Sequence, residues 1–145
     1  MKPDHLGHVH LKVRDLEAQE AFYKKILGVK VTQKVKNEFV FLSLGKHHHD
    51  IALMNIGKQA PTPDFYSTGL YHFAFELKNK KEFKKFYNHL KKHKIEVSPV
   101  DHSISIAMYF NDPEHNTIEL YVDTRKTAKS WDGTVPLTDK EIQKF

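Results

Sequence analysis

Apolar and polar residues alternate through residues 7–13 (GHVHLKV), so that an extended strand there puts Val9, Leu11 and Val13 on one face and His8, His10 and Lys12 on the other. The period then changes. Asp15 is placed to cap a helix whose apolar stripe is Leu16, Ala18, Phe22, Tyr23, Ile26 and Leu27, ending at Gly28. Strand-like patterns return over residues 29–35, 39–44 and 50–56, and residues 57–69 (GKQAPTPDFYSTG) have the Pro, Gly and small polar content of a connector. Residues 72–77 (HFAFEL) alternate again. Phe83, Phe86, Tyr87 and Leu90 then fall at i, i+3, i+4 and i+7 of an amphipathic helix within residues 78–94. Residues 101–121 close the series as a hairpin. Ile104, Ile106, Met108 and Phe110, then Ile118, Leu120 and Val122, form its apolar set, and Asn-Asp-Pro-Glu-His-Asn forms its turn.

The second half repeats the first. A shift of 64 residues carries His8 onto His72, Phe22-Tyr23 onto Phe86-Tyr87 and Val31 onto Ile95. The chain therefore reads as an α+β protein of two βαβββ modules, about 6–56 and 70–122, joined by a connector at 57–69 and followed by a tail at 123–145. Neither module can bury its helix and one sheet face alone. A single domain is expected, with the opposite sheet faces curled into a cup. Strand parity assigns His8, His72, Tyr109 and Glu119 to the face away from the helices.

A length of 145 residues suits one domain with a core of its own. No apolar run approaches a membrane span, and residues 1–9 lack the apolar region of a secretory signal. Cysteine is absent, which excludes disulfides and thiolate chemistry, and a cytoplasmic protein is the expectation. The net charge of +5 comes mostly from lysines on the outer face of the second helix. No nucleic-acid motif accompanies them, so they read as a solvated face and no nucleic-acid partner is expected.

Two imidazoles and a carboxylate on rigid strands make the donor set of open-sided non-haem iron sites, in which three protein ligands leave room for substrate and oxygen. His8, His72 and Glu119 are the candidates. A single strand histidine is more often structural, and His10, His89, His93 and His115 are assigned that use; His8 and His72 depart from it jointly, through the repeat. The position in the first module that matches Glu119 falls near Ala52 to Asn55, where no carboxylate stands, which disfavours a four-ligand site.

These pieces (GHVHLKVRDL with AFYKKILGVKV, then GLYHFAFEL, then MYFNDPEHNTIELY) resemble the vicinal-oxygen-chelate superfamily. That is the paired βαβββ fold of glyoxalases, fosfomycin-resistance enzymes and ring-cleaving extradiol dioxygenases. The likeness is greatest to the catechol 2,3-dioxygenase type, where an Asp-His pair, here Asp101-His102, precedes the last hairpin. It implies His8, His72 and Glu119 as metal ligands, Tyr109 in contact with a substrate oxygen, His102 beside the substrate, and His49 as an acid–base residue, with His47 and His48 as substitutes. The implied metal is Fe(II), with Mn(II), Zn(II) or Ni(II) as alternatives. The implied partners are an aromatic diol and O2, and homodimers are known among such folds. The sequence departs from the family in having His115 and Ser103 where glycine is usual. The tail segment SWDGTVPLTDKE resembles the stretch after the N-terminal unit of longer members, and its Trp131 is expected to cover a sheet edge.

The function expected is extradiol-type ring cleavage of a catechol-like aromatic. The alternatives are a glyoxalase- or fosfomycin-resistance-type lyase or thiol transferase, and a small-molecule-binding module without catalysis.

Overall fold

The computed structural model describes residues 1–64, 66–127 and 140–142. The chain is α+β and forms two compact units, one of Met1–Gly69 with Asp112–Glu114, the other of Leu70–Asn111 with His115–Phe145. Among the described residues no helix is long and apolar enough to cross a membrane.

In the first unit β1 (Val9–Val13) leads through Asp15 into α1 (Leu16–Leu27), followed by β2 (Lys30–Val35), β3 (Phe39–Ser43) and β4 (Ile51–Asn55). The sheet order is β1-β4-β3-β2, with β1 parallel to β4 and the other pairs antiparallel. The local chemistry of α1 is as its sequence dictates. The Asp15 side chain accepts from the backbone N–H of Ala18 at 3.1 Å, and Gly28 ends the helix at φ +69°, a left-handed cap that glycine adopts without steric cost. The buried stripe differs from the apolar one. Leu16, Tyr23, Ile26 and Leu27 are buried as expected, but Ala18 is exposed while Gln19 and Glu20 are buried.

Polar partners account for this. Asp112 and Glu114, which follow Asn111 far along the chain, belong to this unit. Tyr23 Oη donates to Asp112 Oδ2 at 2.9 Å. With its amide nitrogen turned to the same carboxylate, Gln19 donates to Asp112 Oδ2 at 3.0 Å and accepts from the Glu114 N–H at 3.2 Å. Glu114 Oε1 accepts from the backbone N–H groups of Arg14 (2.6 Å) and Asp15 (2.9 Å), and the Arg14 guanidinium adds Nε to Oε2 at 3.3 Å. Glu20 pairs with Lys34 at 2.6 Å. Burial, and then the Asp112 charge beside it, push the Tyr23 phenol far above the usual tyrosine range.

The second unit repeats the plan with β5 (Phe73–Glu76), α2 (Lys80–Lys92), β6 (Ser98–Asp101), β7 (Ser105–Asn111) and β8 (Thr117–Asp123). Its sheet order, β5-β8-β7-β6, matches β1-β4-β3-β2 strand for strand, and β5 again runs parallel to β8. A short β9 (Lys140–Glu141) adds antiparallel to β6 and lengthens this sheet by one strand. The sequence pattern does not reveal it, because two residues are too few for a period; Trp131 lies outside the described residues. Asn79 caps α2 by accepting from the Glu82 N–H at 3.0 Å, and Phe83 and Leu90 are its buried residues. Ile95 is not yet strand: its N–H returns to Leu90 O at 3.0 Å and Lys94 takes φ +57°, so the helix end reaches past the repeat's expectation and β6 starts at Ser98.

Candidate metal centre

The hairpin pairs Tyr109 directly with Glu119, and β5 sets Ala74 against Glu119 from the other side. Glu119 therefore sits in the middle of its sheet, and it is 9% exposed rather than solvated. His72 stands one residue before β5. Its Nε2 lies 3.0 Å from Glu119 Oε2, and its ring meets Tyr109 edge-on at 5.6 Å between centroids. Tyr109 Oη and His102 Nε2 share a hydrogen bond of 2.9 Å. The four side chains His72, Glu119, Tyr109 and His102 thus form one connected polar group in the second unit.

His102 is held by a tight turn. Its N–H donates to Ser105 O at 2.9 Å, and Asp101 Oδ1 accepts from the Ser103 N–H at 2.8 Å. Ser103 takes φ +72° to close that turn, and His115 takes φ +67° in the β7–β8 connection. These are the two positions where the resemblance implies glycine. Both carry the left-handed backbone that glycine adopts freely and other residues adopt at a cost.

His8 and His49 lie in the first unit. His8 precedes β1 by one residue, as His72 precedes β5. Its ring packs on His49 at 4.3 Å, and His49 also meets Phe41 at 5.1 Å. His49 Nδ1 is 2.8 Å from His48 Nδ1. Of the three adjacent histidines, His47 and His48 are exposed and His49 is half-buried. Burial, then the neighbouring His8, His48 and His10, lower the His49 pKa below the usual histidine value, and Asp50 opposes them. His10 is exposed and edge-on to Phe39 at 5.9 Å.

Strand registers sharpen the comparison of the modules. His10 pairs with Ala52 as Ala74 pairs with Glu119, and Phe41 pairs with Ala52 as Tyr109 pairs with Glu119. The counterpart of Glu119 is therefore the fully buried Ala52, and that of Tyr109 is Phe41. The first module keeps the histidine and lacks the carboxylate and the phenol.

Do these residues suit a divalent cation? Among the described residues no group of three or more His, Asp or Glu side chains already stands in metal-holding array. The donor chemistry of the His72–Glu119 pair nevertheless fits one. The Nδ1 atom of His72 is buried without a hydrogen-bond partner, while Nε2 faces the carboxylate. A cation seated between Nε2 and the carboxylate would take an imidazole lone pair beside a negative charge, a donor pair that borderline divalent metals accept.

Residues 5–120 match the profile of the Glyoxalase/Bleomycin resistance protein/Dioxygenase superfamily. The chain belongs to this superfamily. Over 128 residues it is 33% identical to catechol-2,3-dioxygenase of Bacillus subtilis (strain 168), covering 86% of this chain and 43% of that protein. It is 30% identical over 126 residues to biphenyl-2,3-diol 1,2-dioxygenase 3 of Rhodococcus globerulus, covering 86% of this chain and 66% of that one. The chain thus spans less than half of the first relative and just under two-thirds of the second. Among solved structures, lactoylglutathione lyase from Agrobacterium tumefaciens superposes with a TM-score of 0.68 at 22% identity, over 84% of this chain and 96% of that one; at such identity the likeness concerns the fold.

The sequence pattern missed Asp112, Glu114, Gln19 and Arg14 as a structural network. The one available signal was the Asn-Asp-Pro-Glu turn, which announces a turn but not its partners.

Proposed function

We propose that this superfamily member is a metal-dependent extradiol-type dioxygenase that opens a catechol-like aromatic ring with O2. The observation that carries the reading is the pairing of half-buried His72 with buried Glu119, joined through Tyr109 to His102. The resemblance of 86% of the chain to two ring-diol dioxygenases supports it.

In this reading His72 and Glu119 hold the metal with His8, which is assigned by its equivalence to His72 in the repeat; Fe(II) is the first choice and Mn(II) the second. When bound, the metal supplies Lewis-acid and one-electron chemistry. Tyr109 and His102 act as a unit on the substrate. With the shared proton on Nε2, His102 donates to Tyr109 Oη and holds the phenol's orientation, which leaves the phenol's own proton for a phenolate oxygen of the substrate. The Asp101–Ser103 turn limits the motion of His102, which favours one substrate pose. His49 is the imidazole assigned to take and return a proton during ring attack.

A glyoxalase-type lyase would need a carboxylate from the first module, and Ala52 stands at the matching position. That reading therefore ranks second. The test is protein loaded anaerobically with Fe(II), its metal content measured, and then given a panel of catechols. A coloured ring-opened product with O2 uptake is expected. Absence of uptake across the panel, with metal demonstrably bound, overturns the assignment.

A further inference from the structure

Six histidines of the first unit, His5, His8, His10, His47, His48 and His49, lie before or within strand β1 or in the β3–β4 loop. Four of them face one another in pairs. The rings of His5 and His47 approach to 5.5 Å, and Nδ1 of His48 lies 2.8 Å from Nδ1 of His49. The second pair continues toward β1, because His49 packs on His8 at 4.3 Å. A file of imidazoles thus runs from exposed His48 through half-buried His49 to His8, which is exposed just before β1.

The loop that carries them is fixed rather than incidental. Ser43 is buried at 3% exposure; its hydroxyl donates to His47 O at 2.6 Å and accepts from the Gly45 N–H at 2.9 Å. Asp50 Oδ2 accepts from the Leu44 N–H at 2.7 Å, and the Asp50 N–H returns to Leu42 O at 2.8 Å. This carboxylate is engaged by the backbone, so the imidazoles are the donors the loop offers. Imidazole suits borderline cations such as Ni(II), Cu(II), Zn(II) and Fe(II), and does not suit Mg(II) or Ca(II).

We propose that the His47–His48–His49 loop, with His5 beside it, is a receiving site that captures a borderline divalent cation from solvent and passes it through His49 to His8. The delivery part of this inference rests on the assignment of His8 as a ligand of the metal centre; the capture part does not. Paired donors explain why the site delivers rather than stores. Two imidazoles hold a cation weakly and leave its other positions to water, so it exchanges quickly, whereas a set of three or four protein ligands retains it. Each step along the file is between neighbouring imidazoles, so the ion has a next donor at hand before it returns to full hydration.

The test uses the full chain stripped of metal and Ni(II) as probe, followed by equilibrium titration and stopped-flow uptake. Wild type is expected to bind one tight and one weaker equivalent. The double variant His47→Ala, His48→Ala is expected to lose the weaker equivalent, to keep the tight one, and to fill it several-fold more slowly at limiting Ni(II). His72→Ala is expected to show the reverse, losing the tight equivalent and keeping the weaker one. Circular dichroism of each variant establishes that it is folded. Retention of the weaker equivalent in the double variant overturns the capture site, and an unchanged filling rate overturns the delivery route. A wild type without a tight equivalent, or a His72→Ala variant that retains it, instead counts against the metal centre and removes the delivery route with it. The weaker equivalent is read from the same titration and still decides capture.

Discussion

Replacing Asp112 by alanine tests the buried polar network in the first unit. Asp112 is 4% exposed and accepts from Tyr23 Oη, from the Gln19 amide and, through Oδ1, from the Glu114 N–H. Tyr23 and Gln19 are both 0% exposed, so neither finds water when the carboxylate is removed. Leaving two buried donors unsatisfied costs about 1–3 kcal/mol each, and loss of the turn's own hydrogen bond adds about 1 kcal/mol. The sum, about 3–7 kcal/mol, is a large part of a total stability of roughly 5–15 kcal/mol. Tyr23→Phe removes one donor to a charged acceptor and is expected to cost about 1.5–3 kcal/mol. Because the two changes break the same bond, the double variant is expected to fall short of the sum by about 1–2 kcal/mol. Urea unfolding with a common slope measures all three. If Asp112→Ala is too unstable to study, Asp112→Asn, which keeps the shape and one acceptor, takes its place in the cycle. An Asp112→Ala or Asp112→Asn variant within about 0.5 kcal/mol of wild type, or strict additivity with Tyr23→Phe, refutes the reasoning.

Three further outcomes follow from the geometry. His72→Ala abolishes the tight equivalent of metal uptake while the circular dichroism spectrum is retained; a tight equivalent kept in the variant counts against His72 as a ligand. Ser103→Gly and His115→Gly each relieve a left-handed backbone, at φ +72° and +67°, and each is expected to raise stability by about 1 kcal/mol in urea unfolding. Because the Tyr23 phenol has its pKa raised on folding, its protonated form contributes stability that is intact below about pH 10, the unfolded value. Above that pH stability falls by about 1.4 kcal/mol per pH unit from this group, a loss that Tyr23→Phe lacks. Equal alkaline slopes for wild type and variant would contradict the assignment.

Much of the fold is written locally. Alternation finds Leu11 and Val13 on the buried face of β1 and Ile106, Met108, Phe110, Ile118, Leu120 and Val122 in the core of the hairpin. Cap chemistry locates both ends of α1 at Asp15 and Gly28. The 64-residue shift predicts two sheets of the same strand order before any register is known. What escapes the pattern is non-local. Gln19 and Glu20 are polar residues on a buried stripe because their partners stand elsewhere in the chain, at Asp112, Glu114 and Lys34. Parity alone makes Glu119 and Ala107 solvent-facing, yet both are buried, since alternation assigns a face without saying what lies over it. The link from Tyr109 to His102 depends on the turn at Ser103, which no periodicity encodes. The choice of His49 over His47 and His48 as the neighbour of His8 depends on how Ser43 folds the loop.

The seating of Asp112–Glu114 in the first unit also has a consequence for the order of events in folding. Arg14 and Asp15 wait for a carboxylate about a hundred positions later in the chain, and Tyr23 for one 89 positions later. Until residue 114 has left the ribosome, the first module holds a buried phenol and amide without their acceptor, however complete its strands are. Closing so long a span costs entropy that local pairing does not recover, so this step belongs late on the folding pathway. Truncation after the first module is therefore expected to yield a species with secondary structure but a loosened α1, prone to association while its acceptor is missing.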